Sequence, residues 1–495
     1  MASEPVHSAD TLLPEGALDP LASPVLQQEL PGITTAFDTE AMRARLQAAL
    51  FADNRPPTIT ECEVEQATYT PGAGCTVRYI LTLPRHEPNT TNTVLVSAQL
   101  FCNAQESAAF FNTHVAPLVT AIRGRPEVNW CDQPAAHVED LAMVLFAYPL
   151  DGELPALLQA TDNPYMLQQI APYLAETAST VAPPSTCHTE LVDYGRQRRC
   201  TLRYQLSSPL AETTTIYGKL TGDGSGMLAE AVSNALAVVG QSGITGQHFG
   251  VPKVLAWLPE LQLSLLETLP GQDIISDLLK SRLRGKPAPA GTLSLERTIE
   301  AGARIAAALH TSGIGLGPRR DLSDELARLE QAIVSMAPAS PELSALLATW
   351  HQHITERAAR SPALPLGFNH GDFTAGQILF DGENCGLIDF DSVCQAEPAL
   401  DVAQFVTYLT VGGQKSKHSA EETRAIFAEL TERFIQTYSA AAGYTTNTAL
   451  LQSRVSLYRS ISLLRRVIRS WQKMKPSRIA GALAMVQEAL AEEVN

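Results

Sequence analysis

Two carboxylates with an amide between them mark the part of this chain best equipped for chemistry. The stretch His370-Gly371-Asp372-Phe373-Thr374-Ala375-Gly376-Gln377-Ile378-Leu379-Phe380-Asp381 is followed by Leu387-Ile388-Asp389-Phe390-Asp391. Asp372 and Asp389 each stand at the edge of a short apolar run. One carboxylate to take a proton from a hydroxyl, and a second carboxylate with an amide oxygen to hold magnesium, suit phosphate transfer. Asp372 is the candidate base. It follows His-Gly, and Gly371 removes the Cβ that would crowd a turn there; a loop aspartate that merely caps a turn is the alternative. Asp389 is the candidate magnesium ligand, because a carboxylate closing a buried strand costs free energy unless it is paired or holds a metal. Asp391 projects to the same side of an extended chain, either toward the substrate or as a turn residue. Gln377 offers an amide oxygen to the same metal.

The segment resembles the catalytic and metal-binding stretch of the aminoglycoside phosphotransferase/choline kinase-like family, a branch of the protein-kinase-like fold. The resemblance runs from about Cys187 to the C-terminus and is anchored on Lys219, His370-Gly371-Asp372, Asp389 and Asp401. It implies an ATP-dependent transfer of the γ-phosphoryl group to a hydroxyl of a small metabolite or aminoglycoside-like acceptor, with GTP as the alternative donor and Mg2+ as cofactor. Gln377 departs from the family's usual Asn. Asp401, in Pro398-Ala399-Leu400-Asp401, matches the family's structural aspartate, and His370 reads as an internal hydrogen-bonding residue. Lys219 lies mid-strand in Ile216-Tyr217-Gly218-Lys219-Leu220, and a cation among apolar neighbours calls for an anionic partner. The family places nucleotide phosphates against such a lysine and pairs it with a helical Glu, here Glu230. It places the adenine at a hinge, here Glu267-Thr268-Leu269, so Glu267 and Leu269 are candidate nucleotide contacts through their backbones. The turn Gly195-Arg196-Gln197-Arg198-Arg199 stands where a phosphate-covering loop would be; it reads equally as an anion-attracting loop or an exposed basic turn.

Positioning these groups requires a strand-rich front and a helical back. Cys75-Thr76-Val77-Arg78-Tyr79 recurs as Cys200-Thr201-Leu202-Arg203-Tyr204, Val94 to Leu100 matches Thr215 to Leu220, and Met143 to Phe146 matches Leu263 to Leu266, all in the same order. Two such units suggest a duplicated small domain, each reading as three strands, a helix and two strands. Gln99 stands in the first unit where Lys219 stands in the second, so the first is expected to be a degenerate copy that packs on the active one. Residues 1 to about 35 read as a loose tail, and Thr39 to Phe51 as a helix. Behind Gly271, helical spacing predicts elements over Leu295–Leu309, Asp321–Met336, a helix capped at Ser340-Pro341, Asp401–Thr410, Ser419–Tyr438, Leu450–Trp471 and Ser477–Glu493. The expected class is α+β: a protein-kinase-like two-lobe fold, with a small antiparallel-sheet N-lobe and a mainly helical C-lobe, preceded by a second N-lobe-like unit. The expected division is a tail and short helix over 1–51, a degenerate lobe over 52–175, a nucleotide lobe over 176–270 and the helical lobe over 271–495.

Composition narrows the partners. A net charge of −16 over 495 residues disfavours nucleic acid and anionic membranes and is compatible with a cationic or neutral small substrate. The eight cysteines form no C-x-x-C pair, which argues against a metal finger or a dense disulfide framework. The start lacks a secretory pattern, no run of apolar residues is long enough to cross a bilayer, and the cytoplasm is the expected compartment. Two other readings stand beside the small-molecule kinase. A maltokinase-like sugar kinase is favoured by Gln377 and the extra front unit. A non-catalytic pseudokinase acting as a binding module is favoured by the same two features.

Overall fold

A computed structural model of the chain describes residues 13–492 apart from residue 15 and the stretches 53–58, 85–91, 178–182, 196–198, 209–210, 223, 289–290, 292, 412–415 and 445–446. Among the described residues the first α-helices are α1 (Pro24–Glu29), α2 (Ile33–Phe37) and α3 (Thr39–Leu50). The expectation of a loose tail to about residue 35 is therefore corrected from Pro24 onward, while residues 1–12 lie outside the described residues. Leu26, Leu30 and Ile33 are fully buried, so short segments with weak intrinsic helicity are held by tertiary packing. Asp38 caps α3 by accepting from Glu40 N and Ala41 N.

Strands β1 (Glu61–Thr70), β2 (Gly74–Leu83) and β3 (Asn92–Leu100) are followed by α4 (Ala104–Phe110), α5 (Ala116–Ile122), β4 (Ala135–Val138) and β5 (Met143–Ala147). Helices α6 (Leu157–Ala160) and α7 (Asn163–Thr177) lead to β6 (Thr186–Tyr194), β7 (Arg199–Ser208) and β8 (Ala211–Thr221). Then come α8 (Ala229–Ser242), β9 (Val254–Leu258) and β10 (Leu263–Glu267). Both antiparallel sheets have the same strand order, β1-β2-β3-β5-β4 and β6-β7-β8-β10-β9. The correspondence reaches further upstream than the sequence comparison took it. Tyr79 Oη donates to Ala36 O of α2 at 2.7 Å, and Tyr204 Oη donates to Ala160 O of α6 at 2.9 Å. Asp38 caps α3 as Asp162 caps α7, through Tyr165 N at 2.9 Å. Each five-stranded sheet is thus backed by a short helix and a longer one that precede it in the chain.

The helical half contains α9 (Ile274–Leu283), α10 (Leu295–Thr311), α11 (Leu322–Met336) and α12 (Pro341–Arg360). After them come the short strands β11 (Gly367–Asn369), β12 (Ile378–Asp381), β13 (Asn384–Leu387) and β14 (Cys394–Ala396). It closes with α13 (Ala399–Val411), α14 (Ala420–Ala442), α15 (Thr448–Gln472) and α16 (Pro476–Glu492). Ser419 and Glu422 form a capping box at the start of α14, whereas Ser340, the expected cap, precedes Pro341 without a side-chain cap bond. The first sheet shares one continuous core with this half. The α6–α7 face of the second sheet forms a separate core around Tyr204, Leu202 and Leu265.

Three backbone joints fix the second sheet's unit against the β12–β13 hairpin. Gly250 N donates to Cys385 O at 2.8 Å, Leu387 N to Gly250 O at 2.9 Å, and Phe380 N to Gln272 O at 2.9 Å. Such paired bonds leave little freedom between the strand carrying Lys219 and the hairpin that precedes Asp389. The architecture is α+β, two antiparallel five-stranded sheets followed by a mainly helical half. All eight cysteines are free thiols, and among the described residues no helix is long and apolar enough to cross a membrane.

Candidate active site

The loop carrying Asp372 is held from beneath by Asp401. That carboxylate is fully buried at the start of α13. Its Oδ2 accepts from His370 N at 2.7 Å and its Oδ1 from Gly371 N at 2.9 Å. His310 Nε2 lies 3.1 Å from Oδ2, and His310 Nδ1 lies 2.8 Å from Tyr438 Oη. A buried carboxylate with three donors is satisfied rather than reactive. Gln404, one turn along α13, clamps the same loop: its Oε1 accepts from Phe373 N at 3.0 Å and its Nε2 donates to Gly371 O at 2.8 Å. Gly371 has φ +79°, and a Cβ there would stand 2.0 Å from Ser392 O, so no other residue fits the turn. His370 is buried and donates from Nε2 to Ile388 O at 2.9 Å, which ties the loop to the strand end before Asp389.

Asp372 emerges from this clamp into a cleft, with its carboxylate reachable by solvent. The surrounding protein strips water from it and raises its pKa above the usual aspartate value; Asp389 and Asp401 push in the same direction, against His370 and Arg469. A carboxylate that holds a proton more readily than usual suits a group that must receive one from a hydroxyl.

Lys219 crosses from the second sheet to the helical half. In β8 it pairs across to Thr201 of β7 and Ser264 of β10. Its ammonium forms ion pairs with Asp389 Oδ1 and, at 3.2 Å, with Asp391 Oδ1. Burial works against its charge, but Asp391 and Asp389 outweigh it and its pKa is raised. For Asp389, burial acts upward and Lys219 downward; the ion pair wins and the pKa is lowered. Asp389 adopts φ +72°, an uncommon conformation for a residue with a side chain, directly before the short turn Phe390–Ser392. Asp391, which the sequence left open between two readings, shares the lysine.

Three expected placements are corrected or refined. Glu230 sits exposed in the first turn of α8, while Lys219 is taken by Asp389 and Asp391, so the expected lysine–glutamate pair does not form. Gln377 Oε1 is turned back on its own loop, where it accepts from Thr374 N at 3.0 Å and from Thr374 Oγ1. Glu267 N donates to Lys253 O at 2.9 Å, and the Leu269 side chain packs against Gly250 and Gly386, where a Cβ on Gly386 would stand 2.2 Å from it. Of the basic turn, Arg196, Gln197 and Arg198 lie outside the described residues. Sequence reasoning missed Gln404, whose signal was its position three residues after Asp401 on one helix face.

A magnesium ion would find hard oxygen donors here. Asp389 and Asp391 present two carboxylates at one point of the cleft, a pair that water and phosphate oxygens can complete. Among the described residues no group of three or more His, Cys, Asp or Glu side chains is placed to hold a metal ion. On the other side of Asp372 lies a cavity of about 390 Å3 between α13 and α15. None of its lining residues comes from the second sheet or the hinge.

Residues 229–449 match the model of the phosphotransferase enzyme family (APH). That segment is similar to the members of this family. Among solved structures, the chain is similar to a choline kinase from Cryptosporidium parvum Iowa II (13% identity, TM-score 0.47, 67% of this chain and 96% of that one). It is also similar to a Plasmodium vivax ethanolamine kinase (11%, 0.43, 66% and 88%) and to the GDP and kanamycin complex of APH(2")-IIIa (13%, 0.42, 66% and 99%). No curated protein matches the chain by sequence.

Proposed function

We propose that the protein transfers the γ-phosphoryl group of a magnesium-bound nucleoside triphosphate, ATP in the first instance and GTP as the alternative, to a hydroxyl of a small molecule. The observation that carries this reading is the meeting of Lys219 with Asp389 and Asp391 on one side of the cleft, with Asp372 facing a separate cavity on the other. Lys219 would exchange its carboxylate partners for the nucleotide phosphates, and backbone groups at Glu267 and Leu269 would border the base. Asp389, with Asp391 beside it, would hold the metal; Gln377 would join them only after releasing Thr374. Bound there, magnesium supplies positive charge to the phosphate oxygens. Asp372 orients the acceptor hydroxyl and takes its proton while the acceptor oxygen bonds to the γ-phosphorus and the bond to the diphosphate leaving group breaks.

The front unit enters as a second, degenerate copy of the nucleotide lobe, over about 52–175 together with the helices before it. Its support is the shared strand order and the matched tyrosine–helix bonds. Gln99, which stands opposite Thr76 and Val144 as Lys219 stands opposite Thr201 and Ser264, brings no charge to a phosphate. We assign it a bracing role: Tyr69 of β1 meets Trp471 of α15 edge-on at 5.4 Å.

One observation favours a second reading, a non-catalytic nucleotide-binding module: the Gln377 oxygen is spent on Thr374. Thermal denaturation with MgATP and an ATP-consumption screen over amino alcohols, sugars, aminoglycosides and sugar phosphates separate the two. The kinase reading requires both stabilisation, about 2.7 kcal/mol at a hundredfold excess over Kd, and acceptor-dependent turnover. Stabilisation with no turnover on any acceptor would leave the binding module standing.

A further inference from the structure

The cavity beyond Asp372 is basic in a chain that is acidic overall. Its wall includes Arg320, Arg465, Arg466, Arg469, Lys473 and Arg478, and Asp372 is the sole acid among its lining residues. Spacings of three and four place Arg465, Arg466, Arg469 and Lys473 on one face of the α15 C-terminal half; Arg478 follows in α16. Two of the six cations are already answered. The fully buried Glu325 takes Arg320 Nε at 2.9 Å and pairs with Arg465 behind the wall. Among the described residues, Arg466, Arg469, Lys473 and Arg478 have no carboxylate within ion-pair distance. Arg466 Nε is buried without a hydrogen-bond partner.

A helix C-terminus favours positive charge, and that would account for one or two basic residues in the last turn. It does not account for unpaired cations spread over three turns and set into a concave wall, where burial, and after it the charge of Arg478, weaken the protonation of Arg466. Such a cluster is repulsive when empty and relieved by a polyanion. Arginine forks match phosphate oxygens in geometry as well as charge. A cationic acceptor would meet four unpaired like charges at this wall, a strong discrimination against it. Net charge alone is compatible with a cationic or neutral substrate, whereas the wall of this cavity favours an anion.

We propose that the acceptor is an anionic alcohol, a small hydroxyl compound carrying a phosphate group, whose anion is seated on the α15 face by Arg466, Arg469 and Lys473 while its free hydroxyl reaches Asp372. The assignment rests on the reading of this cleft as a phosphotransferase site. The cavity, about 390 Å3, is within the ordinary range for a small-molecule pocket.

The test pairs binding with turnover. Calorimetry without nucleotide, using glucose 6-phosphate and glycerol 3-phosphate as probes, should show binding that weakens with ionic strength. Binding should be lost on the order of tenfold in each of Arg466→Gln and the solvent-exposed Arg469→Gln. With MgATP, kcat/KM for the phosphate esters should exceed that for glucose, glycerol, choline and kanamycin by about tenfold or more. The two variants should raise KM with little change in kcat or in MgATP affinity. Preference for gluconate over the esters would keep the anionic acceptor and assign the anion as a carboxylate. Preference for a neutral or cationic acceptor, or variants that leave KM unmoved, would overturn the proposal and leave the phosphotransferase reading intact. Charge-dependent ester binding with no transfer to any acceptor would support the anion seat and sink the phosphotransferase reading instead.

Discussion

Lys219 and Asp391, 172 residues apart in sequence, meet at 3.2 Å, and Asp389 shares the same ammonium. A cation from the second sheet and two carboxylates from the helical half thus close the cleft around one point. Because Lys219 holds its proton more tightly in the folded state, its contribution to stability is fully present below its unfolded value near 10.4 and is lost as pH rises through its folded value. Asp389, with its pKa lowered, contributes above about 3.9, and that contribution is lost as pH falls through its folded value. Lys219→Met should flatten both dependences in urea titrations across pH. It should also weaken MgATP binding; unchanged pH dependence and unchanged affinity would detach the lysine from the site.

If the proposed reaction is right, Asp372 should set the acid limb of activity. Its carboxyl is raised above the ordinary value, and only the ionised form can accept a proton. The pH profile of kcat/KM should therefore fall on the acid side with an apparent pKa above about 3.9. Its folded-state proton affinity makes the ionised side chain a cost to stability at neutral pH, so Asp372→Asn should unfold no more easily than the parent protein. An acid limb at or below the free aspartate value would remove Asp372 from the role of base.

Asp401 holds the catalytic loop and touches no part of the cleft. Its two oxygens serve His370 N, Gly371 N and His310 Nε2, and all are buried. Asp401→Ala should cost about 3–5 kcal/mol in chemical denaturation, because it strands buried donors. A loss below about 1 kcal/mol would mean that the loop is supported elsewhere.

Much of this site was legible because it is local. Asp372, Asp389 and Asp401 announce themselves through apolar runs and loop residues beside them, and the helices from α10 onward through their spacing. What the sequence could not convey depends on tertiary placement. Helices α1 and α2 are too short to be stable alone and are held by the burial of Leu26, Leu30 and Ile33. Lys219 was matched to Glu230 by separation along the chain, but the packing of α8 leaves Glu230 exposed. The helix from Leu450 to Trp471 was read correctly in outline, yet its arginines became meaningful only once α13 and the Asp372 loop were seen across from them.

The front unit's bracing role is open to a double-mutant cycle. Tyr69 and Trp471 are both buried, with ring centroids 5.4 Å apart. Replacing each by Leu, singly and together, should reveal a coupling of about 0.5–1.5 kcal/mol. The Tyr69 replacement should also raise KM for the acceptor through movement of α15. Additive effects on stability with an unchanged KM would confine the front unit to some other task.

The most direct measurement sets Asp372→Asn beside Asp389→Asn, following MgATP binding by calorimetry and phosphoryl transfer by nucleoside diphosphate release with the best acceptor. The account predicts that Asp372→Asn binds MgATP almost as the parent protein does and loses most transfer, on the order of 10²–10⁴-fold, whereas Asp389→Asn loses metal-dependent nucleotide binding itself. Equal, mild effects of the two substitutions on both quantities would contradict it.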